Sequence, residues 1–397
     1  MANQMSSSVG RSLVRAFPLL CGLLLAAQAA LLAQTPAASA GAQASAPGAG
    51  LSLKLDTGKQ IYEAGCVSCH GPDGRGQADN LRGFELPATF PDFSDCPTST
   101  PEPDFQWRAV ITNGGTARGF STIMPSFKDL LTQEQIGKVI GYLRSLCTER
   151  AWPQGDLNFP RALVTEKAFP ENETVVASSV NTQGAAGIDS TVFYEHRIGP
   201  SAMLEVIIPF DFTHANNNAW GSAFGDLGLG YKQKLYASTR KGSIVSAGAE
   251  LIAPTGNKDL GTGGQSTIFE TYGAYGQRFG RSSFVQLHSG VELPAHPDQL
   301  PRAFYFRSAV GKTFVQDHGY GRRWTPTMEF IADRDFEQGA RTNYDVVPQL
   351  QIPLNRRMHV LASVGYRIPV NNTDGRQRQF LFYGLWDWMD GGLFQGW

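Results

Sequence analysis

The stretch Gly65-Cys66-Val67-Ser68-Cys69-His70-Gly71 decides how the first part of this sequence is read. It contains C-x-x-C-H, the attachment pattern of a c-type haem. Two thiols one tight turn apart can each form a thioether to a haem vinyl group, and the adjacent imidazole then lies under the iron as its proximal ligand. C-x-x-C alone also occurs in thiol redox sites and zinc sites. Zinc needs a second ligand pair, which does not follow at useful spacing, and a thioredoxin-like site needs a βαβ context that the flanks lack. The expected cofactor is therefore one covalent haem c, held by Cys66 and Cys69 and ligated by His70.

Upstream, Arg11 and Arg15 precede an apolar run from Phe17 to Ala33, and Ala38-Ser39-Ala40 fits an A-x-A cleavage site. This pattern predicts a signal peptide over residues 1–40 and a flexible linker over 41–54. A membrane-anchoring helix is the competing reading, but the run is short of the ~20 apolar residues of a full span and no stop-transfer charges follow. Export to an oxidising compartment is the expectation. There Cys96 and Cys147, which remain once Cys21 leaves with the signal peptide, are either a disulfide or two buried free thiols. A formal net charge of -1 gives no reason to expect nucleic acid as a partner.

The motif's flanks read as helices. Asp56 is placed to cap a helix through Lys59, Ile61 and Tyr62. Thr132 and Gln135 form a capping-box pattern, and Ile136, Val139, Ile140, Leu143 and Leu146 behind it make one apolar face. With these elements, residues 55–149 resemble a class I cytochrome c domain. The resemblance implies that the first and last helices cross beside the haem, a crossing suited to Gly58, Tyr62 and Tyr142. It also implies a thioether ligand in a Met-Pro segment before the last helix. Met124, in Met124-Pro125-Ser126-Phe127, is the one methionine between the motif and that helix. A gap-filling core methionine is the plainer reading. A His70/Met124 iron is six-coordinate, which suits single-electron exchange rather than substrate activation.

Between these helices, Phe90-Pro91-Asp92-Phe93 and the Pro-rich run to Pro103 suggest an ordered Ω-type loop. Asp104 is expected to cap a short helix from Phe105 to Ile111. Trp107, Arg108 and Arg118 are either near the haem propionates or an ordinary packing tryptophan with solvated arginines.

Residues 150–173, with Pro153, Pro160 and Pro170, read as an extended Pro-rich linker. Beyond it the pattern turns to period two. Phe284, Gln286, His288 and Gly290 alternate with Val285, Leu287, Ser289 and Val291, and similar segments recur. About twelve strands of membrane-spanning length (~9–11 residues) are expected over residues 174–390, with a tail at 391–397. Short connections such as Ile198-Gly199-Pro200-Ser201 and Phe279-Gly280-Arg281-Ser282 alternate with long polar ones, including Thr213 to Ser222 and Pro254 to Gln265. That alternation, an even strand count and aromatics such as Trp220, Trp324, Trp386 and Trp388 near strand ends predict an antiparallel up-and-down outer-membrane barrel. A soluble β-sandwich or a lipocalin-like barrel is the alternative. Ile252-Ala253-Pro254-Thr255-Gly256 and its Gly-rich sequel resemble outer-membrane channels associated with hydrocarbon uptake. Glu205, Glu250, Glu270, Glu292 and Glu329 are candidates to line a polar lumen.

The fold class expected is thus multidomain: a small all-α cytochrome c domain, then an all-β barrel. The function expected is electron carriage by a periplasmic haem domain tethered to the outer membrane, with redox proteins and membrane lipid as partners. A channel for a small solute with a docking cytochrome, and a cytochrome subunit of a larger oxidoreductase, are the other readings. The sequence shows no active site for independent catalysis.

Overall fold

Among the described residues, five helices build the first part: α1 Gly58–Gly65, α2 Val67–His70, α3 Cys96–Ser99, α4 Asp104–Asn113 and α5 Gln133–Leu146. Residues 54–81, 83–183, 186–214, 220–264, 266–316 and 322–397 are described in this computed structural model. The expected signal peptide and most of the linker after it lie outside them, as does the middle of the expected loop from Thr213 to Ser222.

The cap of α1 is Thr57, not Asp56. Gln60 reaches back to the Thr57 N–H (3.0 Å) while Thr57 Oγ1 accepts from Gln60 N, a reciprocal box that Asp56 has no partner to form. Helix α4 likewise begins at Asp104 instead of being capped by it, because Arg144 Nε donates to Asp104 Oδ1 at 2.9 Å and draws that carboxylate towards α5. The Thr132–Gln135 box at the head of α5 forms as read. Helices α1 and α5 cross at Gly58, where a Cβ would overlap the Lys138 carbonyl oxygen, and the Tyr62 and Tyr142 rings meet at 5.1 Å. Ile61, Tyr62, Phe93, Ile111, Ile136, Val139, Ile140 and Leu143 form the core beneath the crossing.

Fourteen strands follow. They are β1 Glu173–Asn181, β2 Gly187–Ile198, β3 Ala202–His214, β4 Trp220–Phe224, β5 Gly228–Ser238, β6 Ser243–Ile252 and β7 Ile268–Phe279. The rest are β8 Ser283–Pro294, β9 Ala303–Lys312, β10 Phe314–Val315, β11 Arg323–Asp335, β12 Asn343–Pro353, β13 Val360–Pro369 and β14 Gln379–Asp387. Twelve of them pair antiparallel in a closed ring, sealed by β1 against β14 with Val175 opposite Leu385. The two short strands stand outside the ring: β4 extends the far end of β3, and β10 pairs the start of β11. Part of the segment expected as a loop from Thr213 is therefore strand.

The two faces settle which kind of barrel this is. Val206, Leu229, Leu251, Phe269, Phe304, Phe330, Val364 and Phe380 are exposed on the outside, whereas Glu195, Lys232, Gln286 and Glu329 point inward and are 0% exposed. A lipocalin or sandwich buries its apolar face; this ring shows it and encloses charge, as a barrel in lipid does. The turns at Gly199 and Gly280 each need a left-handed glycine (φ 60°). They lie at the same end as Glu173 and Asp387, so both chain ends of the ring share the short-turn side.

Residues 150–173 are not a simple extended linker: a 3-10 turn at Gly155–Leu157 and bends interrupt them, and they dip into the lumen from the short-turn end and return to it. Leu157, Phe159, Ala168 and Phe169 pack on Ile244, Ala274 and Phe284, and Leu163 and Val164 on Ile331, Val347 and Leu381. Glu329 accepts the backbone N–H groups of Leu163 (2.9 Å), Val164 (3.1 Å) and Thr165 (2.6 Å). Arg161 joins Glu173, Glu195 and Glu166, and Lys232 pairs with Glu166. A segment outside the sheet has no ladder partner for its backbone, so the barrel wall supplies side chains instead: Gln286 Nε2 donates to Pro160 O and Tyr383 OH to Arg161 O.

Candidate haem site

The C-x-x-C-H turn is built by the junction of two helices. Cys66 ends α1 and opens α2, and His70 is the last residue of α2. Its backbone is pinned on three sides: Gly76 N donates to His70 O (2.9 Å), Gln77 N to Cys69 O (2.9 Å), and Tyr62 OH to Gly71 O (2.6 Å). Gly71 sits at φ 70°, where a side chain would be strained, so the chain can turn sharply past the imidazole.

The His70 ring is held between Phe90 (centroids 4.8 Å apart) and Phe93 (5.2 Å). Burial pushes its pKa down to about 4, so the imidazole is neutral, the form that can donate a lone pair to a metal. Its Nδ1 is buried without a hydrogen-bond partner among the described residues. Cys66 and Cys69 are free thiols, not joined to each other. Burial, with a smaller contribution from Cys69, pushes the Cys66 thiol up to about 11, which disfavours the thiolate that a redox or zinc site needs.

Met124 packs on the same core cluster as Cys66, and Phe93 of that cluster touches His70. Its segment is tied to the end of α4 by Gly115 N to Met124 O (3.0 Å), Ser126 Oγ to Thr112 O (2.7 Å) and Phe127 N to Ile111 O (3.0 Å). A soft thioether and the Cys66 thiol on one apolar cluster, with Cys69 and a half-buried imidazole bearing an unpartnered nitrogen beside them, form a donor set that fits a covalent haem c. Trp107 packs on the same cluster and lies against Phe93 (centroids 5.3 Å apart), while Arg108 is engaged with α5. Arg144 lies over the Trp107 ring at 3.9 Å, and Arg108 donates to Gln133 O at 2.8 Å. Arg118 is buried rather than solvated, its Nε donating to Gln106 Oε1 at 2.5 Å. Cys96 and Cys147 form a disulfide (S–S 2.09 Å) between α3 and the end of α5. Helix α3 itself lies inside the stretch expected as loop.

The helical domain is seated on the short-turn end of the barrel. Gly155 N donates to Thr100 O at 2.7 Å, and Asp156 pairs with Arg278 of β7 at 3.6 Å. Arg323 of β11 lies over the Phe105 ring at 4.5 Å, and Arg357, between β12 and β13, over Phe120 at 4.7 Å. The C-terminal tail completes the seat, with Asn355 Nδ2 donating to Gln395 O at 3.0 Å and Arg356 N to Gly396 O at 2.7 Å. This seat was not foreseen; only the unassigned Arg-rich Asn355-Arg356-Arg357 hinted at it.

Fold and site together define a cytochrome c-type domain joined to a closed antiparallel β-barrel with an apolar outer face. Residues 54–143 match the family model described as cytochrome c oxidase, cbb3-type, subunit III. Over the barrel, solved structures similar in outline include the KdgM porin, at 9% identity over 54% of this chain and 98% of that one (TM-score 0.36). An outer membrane channel from Pseudomonas putida F1 is similar at 14% identity over 55% of this chain and 97% of that one (TM-score 0.37). The NanC porin is similar at 8% identity over 54% and 98% (TM-score 0.39). No curated protein matches the sequence. Strand closure and the inverted faces carry the barrel assignment.

Proposed function

We propose that this protein is a one-electron carrier whose single haem c is bonded to Cys66 and Cys69, with His70 and Met124 as axial ligands, in a periplasmic domain anchored by an outer-membrane barrel. The observation that carries the reading is the C-x-x-C-H turn packed on the Met124 cluster within a domain that matches a cytochrome c family. The haem supplies reversible Fe(II)/Fe(III) chemistry. The chain's own residues set its terms: Phe90 and Phe93 fix the His70 ring, and the ties from Gly115 and Phe127 hold Met124. Thioether ligation favours ferrous iron and raises the potential. Held by His70 and Met124, the iron would exchange single electrons rather than bind a substrate.

A filled lumen favours the tether over the solute channel, because Leu157, Phe159, Leu163 and Phe169 occupy the space a solute would need. The matched family's name also suits a redox partner that is itself an enzyme, with this chain as its carrier. Expression with haem-maturation machinery followed by visible spectroscopy tests the proposal. Wild type should show a covalent low-spin haem; Met124→Ala should keep the covalent haem, lose the sulfur-to-iron band and lower the potential. An unchanged spectrum in Met124→Ala would move the sixth ligand to another residue.

A further inference from the structure

The strand registers place acidic residues opposite one another on neighbouring strands around the inside of the barrel. Glu195 on β2 faces Glu205 on β3, and Glu205 faces Gly230 on β5. Gly230 in turn faces Glu250 on β6, Glu250 faces Glu270 on β7, and Glu270 faces Glu292 on β8. Such a row runs along the hydrogen-bonding direction. Because barrel strands tilt by ~35–45°, it winds along the barrel axis as well as around it. It rises from Glu195, near the short-turn end, to Glu292, two residues before the long-loop end of β8. Gly230 is the gap through which two members meet: a Cβ there would lie 3.0 Å from Glu205 Oε2 and 3.2 Å from Glu250 Cγ.

Like charges directly opposite on a sheet repel. In the lower part of the row that repulsion is neutralised, since Arg161 binds Glu195 and Lys232 binds Glu166 of the lumen segment. In the upper part it is offset only from further off: Arg161 and Lys232 face Glu205, Lys232 and Arg307 face Glu250, and Arg307 faces Glu292, none of them as a close ion pair. Glu205 is 5% exposed, points across Gly230, and makes no hydrogen bond or close ion pair with any described residue. Glu250 and Glu292, both half-buried, have none with a described residue either, and Glu195 Oε2 is buried without a partner among the described residues. Glu270 accepts from Tyr305, whose hydroxyl also lies 3.0 Å from His288 Nε2, and Arg307 lies over the Tyr305 ring at 4.1 Å. An ionised carboxylate buried without a partner costs several kcal/mol, so such a group takes up a proton or a cation. Among the described residues no three His, Cys, Asp or Glu side chains converge as a metal cage needs. Glu205 and Glu250 approach each other across Gly230, an arrangement in which two carboxyls can share a proton.

We propose that Glu205 and Glu250, meeting over Gly230, form a proton-binding site, with Glu270 and Glu292 as its line of exchange with the long-loop mouth. Binding is simple protonation of one carboxylate oxygen and release is its reversal, so no other reactant is involved. Infrared spectroscopy of the full-length haem-loaded protein at neutral pH tests the proposal. Wild type should show the carbonyl stretch of a protonated carboxyl group, absent or reduced by at least half in both Glu205→Gln and Glu250→Gln. The two variants guard against a folding failure in one, and retention of heat-modifiable gel mobility certifies the barrel in each. A wild-type spectrum without that band, or a band of equal intensity in folded variants, would overturn the proposal. So would one Mn²⁺ bound per protein and lost in Glu205→Gln, which would make the occupant a cation.

Discussion

At Gly58 a single missing methyl group allows α1 to lie against α5, since a Cβ would overlap the Lys138 carbonyl oxygen. Gly58→Ala should therefore force the helices apart and destabilise the helical domain by about 1–3 kcal/mol, the usual cost of overpacking. Denaturant titration followed at the haem absorbance would show it, and an unchanged midpoint would mean that the crossing yields without cost. Residue-level chemistry of this kind was the most legible in the sequence. C-x-x-C-H is readable because thioether formation dictates the spacing, and Gly58, Tyr62 and Tyr142 because the resemblance to class I cytochromes c implies a close helix crossing that suits them. The cap was misplaced by one residue. Asp56 and Thr57 are both good caps, and the choice falls to Gln60, which stands three residues after Thr57.

Among the elements, the strands declared themselves and the lumen segment did not. Alternation works for Phe284, Gln286, His288 and Gly290 because each strand has lipid on one side and a polar interior on the other. Residues 157–169 dip into the lumen from the short-turn end and return to it, with contacts from all around the wall, so no periodicity marks them. Their apolar residues, scattered among prolines, were the signal available. Two predictions belong at this scale. Replacing residues 157–169 with a Gly/Ser stretch of equal length should give steady single-channel conductance in planar bilayers, where the wild type stays closed. Glu329→Gln, which weakens the carboxylate receiving Leu163, Val164 and Thr165, should give brief openings between those limits. Equal conductance in all three would show that the segment does not close the barrel.

For the whole molecule, the seat of the helical domain on the short-turn end decides how the haem is presented. Arg323 over Phe105 and Arg357 over Phe120 make the contact more than a flexible tether. Cation–aromatic contacts contribute about 0.5–2 kcal/mol each, so Arg323→Ala combined with Arg357→Ala should loosen the domain. Faster proteolysis near Arg150, with the haem spectrum unchanged, is the expected reading; unchanged cleavage would mean that the lumen segment alone holds the domain. This contact joins residues far apart in sequence and leaves no local pattern, which is why only the two domains, and not their docking, could be read beforehand. The arrangement also limits function, since one haem at one end cannot carry an electron across a hydrocarbon layer ~30 Å thick. On the proposed reading, electrons would enter and leave on the short-turn side unless further haem proteins continue the path.

The joint presence of haem and barrel in one membrane is the point on which the rest depends. Cells expressing the chain with haem-maturation machinery can be fractionated, and the outer-membrane, inner-membrane and soluble fractions stained for haem on denaturing gels. A haem-stained band that survives denaturation, confined to the outer-membrane fraction and shifting in mobility when boiled, is the predicted result. Haem staining in the soluble periplasmic fraction, or a protein that loses its haem on denaturation, would contradict a covalently bound carrier tethered by its own barrel.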